Sequence, residues 1–217
     1  MFDIRITDRV HQMLAPYIHK GDVVIDGTSG NGNDTLFLAK HVGSQGTVIG
    51  FDIQKKALEA TCLRIHEELD HSVIIVDDIA DEQLVVHSGI YLMHLSHENI
   101  DFMQIKSAAK ANRIACIMFN FGYLPGADKQ VTTQMQSSLR AVKKSLQLIK
   151  PHGVISLVTY PGHEEGAYED CEIERLLQQL PAKEFEVLKM QYVNRSERAP
   201  KQYLIYKRCC QTTDNEL

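Results

Sequence analysis

The chain has 217 residues, 44% of them hydrophobic and 24% charged, with a net charge of −5. That length and composition suit one globular domain, 1–217, with a sizeable core, and exclude a disordered chain, a collagen-like repeat and a disulfide miniprotein. No apolar run reaches the roughly 18 residues needed to cross a bilayer, Met1-Phe2-Asp3-Ile4-Arg5-Ile6 has no signal-peptide pattern, and five cysteines without a CxxC pair read as reduced thiols of a cytoplasmic protein.

Along the chain, short apolar runs alternate with amphipathic helical stretches. Val23-Val24-Ile25-Asp26 reads as a buried strand that ends in the turn Gly27-Thr28-Ser29-Gly30-Asn31-Gly32. A helix is predicted from about Asn33 to Gly43, where a C-terminal glycine belongs. Thr47–Phe51 is a second strand closed by Asp52, and Gln54 to about Leu69 a charged helix. Val73–Val76 fits a strand, but Ser72–His87 as a whole is ambiguous. Further strands are predicted at Ile90–Leu95, Ile114–Phe119, Val154–Thr159, Glu186–Val193 and Tyr203–Tyr206. The longest helical pattern runs from Asp128 to Ile149, with Val131, Met135, Leu139, Val142, Leu146 and Ile149 at spacings of three and four. Strands alternating with helices imply a mostly parallel, doubly wound α/β sheet. The last two strands are too close in sequence for a crossover helix and should pair as a hairpin, giving an antiparallel C-terminal strand.

Doubly wound sheets bind ligands at the carboxyl ends of their strands, where strand order reverses. The Asp26–Asn33 turn lies at such an end. Gly30 and Gly32 allow close backbone approach, and a helix N-terminus offers free N–H groups to an anion. Asp26 could orient the turn or meet an ammonium group. Asp52 follows 20 residues after Gly32, where a carboxylate can accept both hydroxyls of a ribose. A dinucleotide and S-adenosylmethionine both fit. The dinucleotide fingerprint needs a third glycine where this chain has Thr35, so the pattern leans to S-adenosylmethionine.

Asn120-Phe121-Gly122-Tyr123-Leu124-Pro125-Gly126-Ala127-Asp128 follows the Ile114–Phe119 strand. An Asn just past a strand can accept N–H bonds from an amine and aim its lone pair at a methyl group, with Tyr123 bounding the pocket. Orientation and exclusion of water are most of what methyl transfer asks of a protein. His97 and His163, each in a loop after a strand, are candidate proton acceptors. His94, His97 and His163 lack the tight spacing of metal ligands, and no metal is expected. From Lys183 to Arg208, seven basic residues face three acidic ones, enough to meet phosphates or simply to form a solvated face.

Asp26–Leu36, Gly50-Phe51-Asp52-Ile53-Gln54, Ser96-His97-Glu98-Asn99, Asn120–Gly126 and Tyr160-Pro161-Gly162-His163 together resemble a small class I methyltransferase family. That family was first described as rRNA methylases. It is linked to the tRNA methyltransferase that completes 5-methylaminomethyl-2-thiouridine at the wobble position. The resemblance spans about Gly21 to Lys207. It implies a Rossmann-like fold and transfer of a methyl group from S-adenosylmethionine to the primary amine of 5-aminomethyl-2-thiouridine. It further implies cofactor contacts at Asp26, Gly30, Asn31, Gly32, Asn33, Asp52, Gln54, Ser96 and His97. Asn120 and Tyr123 would form the acceptor site, helped by Asp128 and His163. The tRNA anticodon stem-loop would lie on Arg195, Arg198 and Lys201, and a homodimer is the assembly expected. Two departures stand out: Asn33 where the family often has His, and Ala127 where it often has Gly. Methylation of rRNA or of a small amine is the alternative within the same chemistry, and an NAD-dependent oxidoreductase the alternative outside it.

Overall fold

A computed structural model describes residues 6–77, 87–102, 105, 107, 111, 113–122 and 135–209. The first strand, β1 (Val23–Asp26), is buried along its whole length, as a parallel strand covered on both faces must be. It is followed by β2 (Thr47–Asp52), β3 (Val73–Val76), β4 (Gly89–His94), β5 (Ile114–Phe121), β6 (Val154–Thr159), β7 (Phe185–Met190) and β8 (Lys201–Lys207). These form one sheet in the order β3-β4-β2-β1-β5-β6-β8-β7. All neighbouring pairs are parallel except those made by β8, which runs antiparallel between β6 and β7. Strand order reverses between β1 and β5, so the ligand crevice of this architecture opens at the carboxyl ends of those two strands.

Helices α1 (Ile6–Leu14), α2 (Asn33–Val42) and α3 (Lys55–Glu68) cover one face of the sheet; α4 (Met135–Leu148) and α5 (Glu164–Gln178) cover the other. Side chains alternate along each strand and feed the two sides in turn. Val24, Val48, Leu92 and Met118 pack with Leu14, Leu38 and Leu58. Ile25, Ile49, Phe119 and Ile155 pack with Val142 and Ile173. Each such buried aliphatic contributes about 1.5–3 kcal/mol of transfer free energy.

The α/β architecture, the parallel sheet and its antiparallel C-terminal strand match the expectation from sequence. Differences are local. Helices α1 and α5 stand where no helix was predicted. Val73–Val76 settles as an edge strand beside β4, while residues 78–86 lie outside the described part. Of the long helical pattern, Met135–Leu148 forms α4, and 123–134 lie outside the described residues, together with Tyr123 and Asp128. β5 extends two residues beyond Phe119, so Asn120 is the penultimate residue of a strand and pairs with Val158 of β6. The β6–β8 seam is tied to α5 by the buried Asp170, which accepts hydrogen bonds from Thr159 Oγ1 (2.6 Å), Tyr203 Oη (2.9 Å) and Lys201 Nζ (2.7 Å). No helix among the described residues is long and apolar enough to cross a membrane.

Candidate active site

The turn after β1 is built by hydrogen bonds to three strands. Gly27 N donates to Met118 O of β5 and Ser29 N to Phe51 O of β2, both at 2.8 Å. Asp26, fully buried, accepts from Thr28 N (3.0 Å) and Thr35 Oγ1 (2.6 Å), clamping the turn against the start of α2. Both hydrogen bonds orient the turn. Burial, reinforced by the charge of Asp34, pushes its carboxyl up to about 7. Gly30 and Gly32 have positive φ, +50° and +78°, and a Cβ on Gly32 would lie 2.9 Å from Thr61 Cα of α3. Only glycine meets both demands at position 32. The Thr35 hydroxyl occupies the place where a dinucleotide-binding fold needs its third glycine, and there it serves Asp26.

Asp52 ends β2 beside this turn. Its two oxygens accept Gly30 N (2.9 Å) and Gln54 N (2.8 Å), and burial raises its pKa. A carboxylate has about four acceptor directions, so two backbone donors leave room for hydroxyls. Asn31 and Asn33 expose their side chains on the rim of the turn, while Gln54 is half-buried as the residue preceding α3. After β4, Ser96 Oγ accepts from Glu98 N (3.4 Å) and caps the short turn His97–Asn99. His97 is buried, packed edge-on against Phe119 and tilted against Phe121. Burial lowers its pKa to about 4, so the ring is neutral at physiological pH. Its Nε2 and the buried Ser29 Oγ lack hydrogen-bond partners among the described residues, an arrangement that costs free energy unless a ligand or water completes it.

The end of β5 is joined directly to the turn. Asn120 N donates to Thr28 Oγ1 at 2.7 Å, and Asn120 Nδ2 donates to Asp34 Oδ2. Tyr160 Oη lies 3.5 Å from Asn120 Oδ1. Asp34, buried at the start of α2, also accepts from His11 Nε2 of α1 at 2.6 Å. His163 is placed differently: its Nδ1 accepts from Gly166 N (3.1 Å) and caps α5. Sequence reading missed Asp34, His11 and Tyr160 as site residues. An acid two residues after Gly32 reads as an ordinary complement to the helix dipole, and only the sheet order brings it to Asn120.

These residues fit S-adenosylmethionine. The glycine turn and α2 N-terminus would receive its carboxylate, Asp52 its ribose, and the unpartnered His97 Nε2 a polar group of the adenosyl portion. A neutral imidazole also adds no charge against a sulfonium. Among the described residues, no group of three His, Cys, Asp or Glu side chains is placed to hold a metal.

Fold and site together are those of a class I methyltransferase. Residues 48–206 match the family described as "Putative rRNA methylase", and the chain belongs to that family. It is 34% identical over 209 residues to the "tRNA (mnm(5)s(2)U34)-methyltransferase, chloroplastic" of Arabidopsis thaliana, a match covering 94% of this chain and 70% of that one. It is also similar to a solved protein of Clostridium thermocellum described as a "putative rRNA-methylase". There the identity is 30%, with 93% of this chain and 96% of that chain covered and a TM-score of 0.75. A "putative methyltransferase" of Streptococcus mutans, solved in complex with SAH, is 26% identical over 94% of this chain and 98% of its own, with a TM-score of 0.73.

The raised pKa of Asp26 has a measurable consequence. An unfolded Asp titrates near pH 3.9, whereas the folded carboxyl holds its proton to about 7. This group's contribution to stability is therefore fully present below about pH 4 and is lost as pH rises through 7. Urea midpoints should fall less between pH 5 and pH 8 for Asp26→Asn than for the wild type; parallel falls would assign the titration to another group.

Proposed function

We propose that the protein transfers a methyl group from S-adenosylmethionine to the primary amine of 5-aminomethyl-2-thiouridine at the tRNA wobble position, giving 5-methylaminomethyl-2-thiouridine. The observation that carries this reading is the 34% identity, over nearly the whole chain, to a relative named for that nucleoside. The site supports it, because cofactor turn and acceptor edge meet through the Asn120–Thr28 hydrogen bond.

When bound, S-adenosylmethionine supplies a methyl group on a sulfonium, already a strong electrophile. The chain's own task is to hold and orient. Asp52, Gln54, Asn31, Asn33 and the glycine turn fix one end of the ligand, and Ser96 and His97 bound the other. Asn120 Oδ1 accepts an N–H of the incoming amine and leaves the nitrogen lone pair facing the methyl group. Tyr160, half-buried beside it, narrows the opening and excludes water. The amine reacts only after losing its ammonium proton, and a desolvated pocket lowers its pKa toward that neutral form. Tyr123, Asp128 and His163 belong to this reading as acceptor-side residues on the strength of the family resemblance.

An anticodon base splayed from its loop can be read by stacking and polar contacts in such a pocket. For the stem, the basic C-terminal residues separate into three groups. Lys183, Lys207 and Arg208 lie at the amino-terminal edge of the sheet, opposite the site, and Arg208 pairs with Glu186. Lys189 is bound by Glu174, and Lys201, with 12% of its side chain exposed, is bound by Asp170. Arg195 and Arg198, exposed on the 191–200 loop, have no ion-pair partner among the described residues. The Arg195 guanidinium lies over the Tyr192 ring, 4.4 Å from its centroid. A Cβ on Gly162 would lie 3.8 Å from Arg198 O, so this loop borders the turn that follows β6 at the site end. Arg195 and Arg198 are therefore the phosphate contacts of the proposal, and Lys201 supports the loop. A homodimer and a cytoplasmic setting belong to the same reading. Val187 and Leu188, exposed on edge strand β7, support the first; Cys62, Cys116 and Cys171, all free thiols, support the second.

Nucleoside mass spectrometry tests the reaction. Purified protein with S-adenosylmethionine should add one methyl mass to 5-aminomethyl-2-thiouridine in tRNA ending at that intermediate. Gain on rRNA or a free amine instead would replace the acceptor, and gain on none of them would overturn the reading. For the tRNA surface, the Arg195→Ala/Arg198→Ala double variant should reduce the slope of log K against log salt by about 1–2, at roughly 0.7–0.9 per phosphate contact. Lys201→Ala should lower the unfolding midpoint and leave that slope unchanged; the reverse pattern would move the RNA contact to Lys201.

A further inference from the structure

We infer that Asp34, held by His11, is a positioning residue that dictates which atom of Asn120 faces the substrate amine. The inference rests on the acceptor role proposed for Asn120 and concerns how that role is enforced. A carboxamide has two ends of opposite character, an oxygen that accepts and a nitrogen that donates, and it can rotate by 180° at little steric cost. For Asn120 the two orientations are not chemically equal. With the oxygen toward the crevice it accepts an amine N–H and directs the lone pair outward; with the nitrogen there, it donates to that lone pair and blocks it.

The structure removes the choice. Asp34 Oδ2 faces the carboxamide and, as a carboxylate, can only accept, so the amide nitrogen must point at it. The oxygen is then turned toward Tyr160, whose hydroxyl lies 3.5 Å from it. Two neighbours on different elements thus agree on one orientation. The backbone N–H of Asn120 is fixed as well, by Thr28 Oγ1 at 2.7 Å. Asp34 is itself anchored at its other oxygen. His11 Nε2 donates to Oδ1 at 2.6 Å, while the His11 ring stacks on Phe37, with centroids 4.0 Å apart and planes at 4°. Phe37 belongs to α2, the helix that carries Asp34, so the imidazole is clamped by the element it serves. Two long-range contacts, spanning 23 and 86 residues, therefore run from α1 through Asp34 to the strand end that presents the acceptor group. The pair is part-buried, and hydrogen bonds of this kind contribute little net stability. Its geometric result, a one-way carboxamide, is what the site uses.

The test combines loss, exchange and a donor-conserving variant, all assayed as methyl transfer to tRNA carrying 5-aminomethyl-2-thiouridine, with S-adenosylhomocysteine affinity measured in parallel. Asp34→Asn offers Asn120 both a donor and an acceptor, so the orientation is no longer enforced. We expect kcat to fall about 10- to 100-fold, the range that a misplaced reacting group costs, with cofactor affinity changed less than twofold. The Asp34→Asn/Asn120→Asp double variant exchanges the partners: the new carboxamide at 34 still accepts from His11 and donates to the new carboxylate at 120. An acceptor oxygen again faces the amine, and turnover should recover at least tenfold over Asp34→Asn. His11→Gln retains a donor to Asp34 and should keep most of the rate, whereas His11→Leu should lower kcat severalfold with KM little changed. Undiminished turnover in Asp34→Asn, with Asn120→Ala inactive, would overturn this inference and leave the acceptor role of Asn120 standing. Because a carboxylate at 120 also favours the ammonium form of the amine, the exchange variant is assayed across pH, and failure to recover even where the amine is neutral would overturn the inference too. An active Asn120→Ala would remove the acceptor role itself and the inference with it.

Discussion

The site depends on one buried carboxylate. Asp26 closes β1, and its two oxygens hold the turn and the first residues of α2 through Thr28 N and Thr35 Oγ1. Everything chemically useful at the carboxyl edge of the sheet is measured from that clamp. Within the turn it holds, Gly30 N donates to Asp52, and Thr28 Oγ1 stands where Asn120 N can donate to it. A carboxyl so deeply buried is costly to ionise, which is why its pKa stands near 7. Desolvation of this kind is tolerated at functional sites when the surrounding structure enforces it.

From the clamp, labour divides across the point where strand order reverses. On the β2–β4 side lie groups suited to a nucleoside: a carboxylate with spare acceptor directions at Asp52 and a neutral, unpartnered imidazole at His97. On the β5–β6 side lie groups suited to an amine: a carboxamide oxygen at Asn120 and the hydroxyl of Tyr160. Phe119 and Phe121 flank Asn120 on β5 and both pack against His97, so the same strand supports both halves. Methyl transfer needs two ligands held in line and little else, so a rigid sheet edge with two differently equipped halves is sufficient apparatus.

What was legible from the chain follows the reach of its contacts. β1, its glycine turn, the start of α2 and Asp52 were readable because their signals are local: a continuous apolar run, glycines at a turn, and a second acid one βαβ unit later. The end of β5 was misjudged because Asn has low strand propensity; pairing with Val158 and Thr159 of β6 overrides it. Helix α1 escaped notice because it is only nine residues long, and α5 because its sequence is largely polar; they are buried through Val10 and Leu14 in one case and Ile173 and Leu177 in the other. The Asp34–Asn120 contact spans 86 residues, and no pattern in the sequence announces it. The basic C-terminal stretch shows the opposite failure. Its residues are close in sequence, but an antiparallel pair sends them to opposite ends of the sheet.

The central claim is that cofactor and acceptor are held by separate halves of one edge. Titration calorimetry with S-adenosylhomocysteine tests it most directly, comparing wild type, Asp52→Ala and Asn120→Ala. The account predicts that Asp52→Ala weakens binding at least tenfold, about 1.4 kcal/mol, while Asn120→Ala binds as the wild type does. Equal losses in the two variants would contradict the division, and binding of NAD in preference to S-adenosylhomocysteine would contradict the cofactor itself.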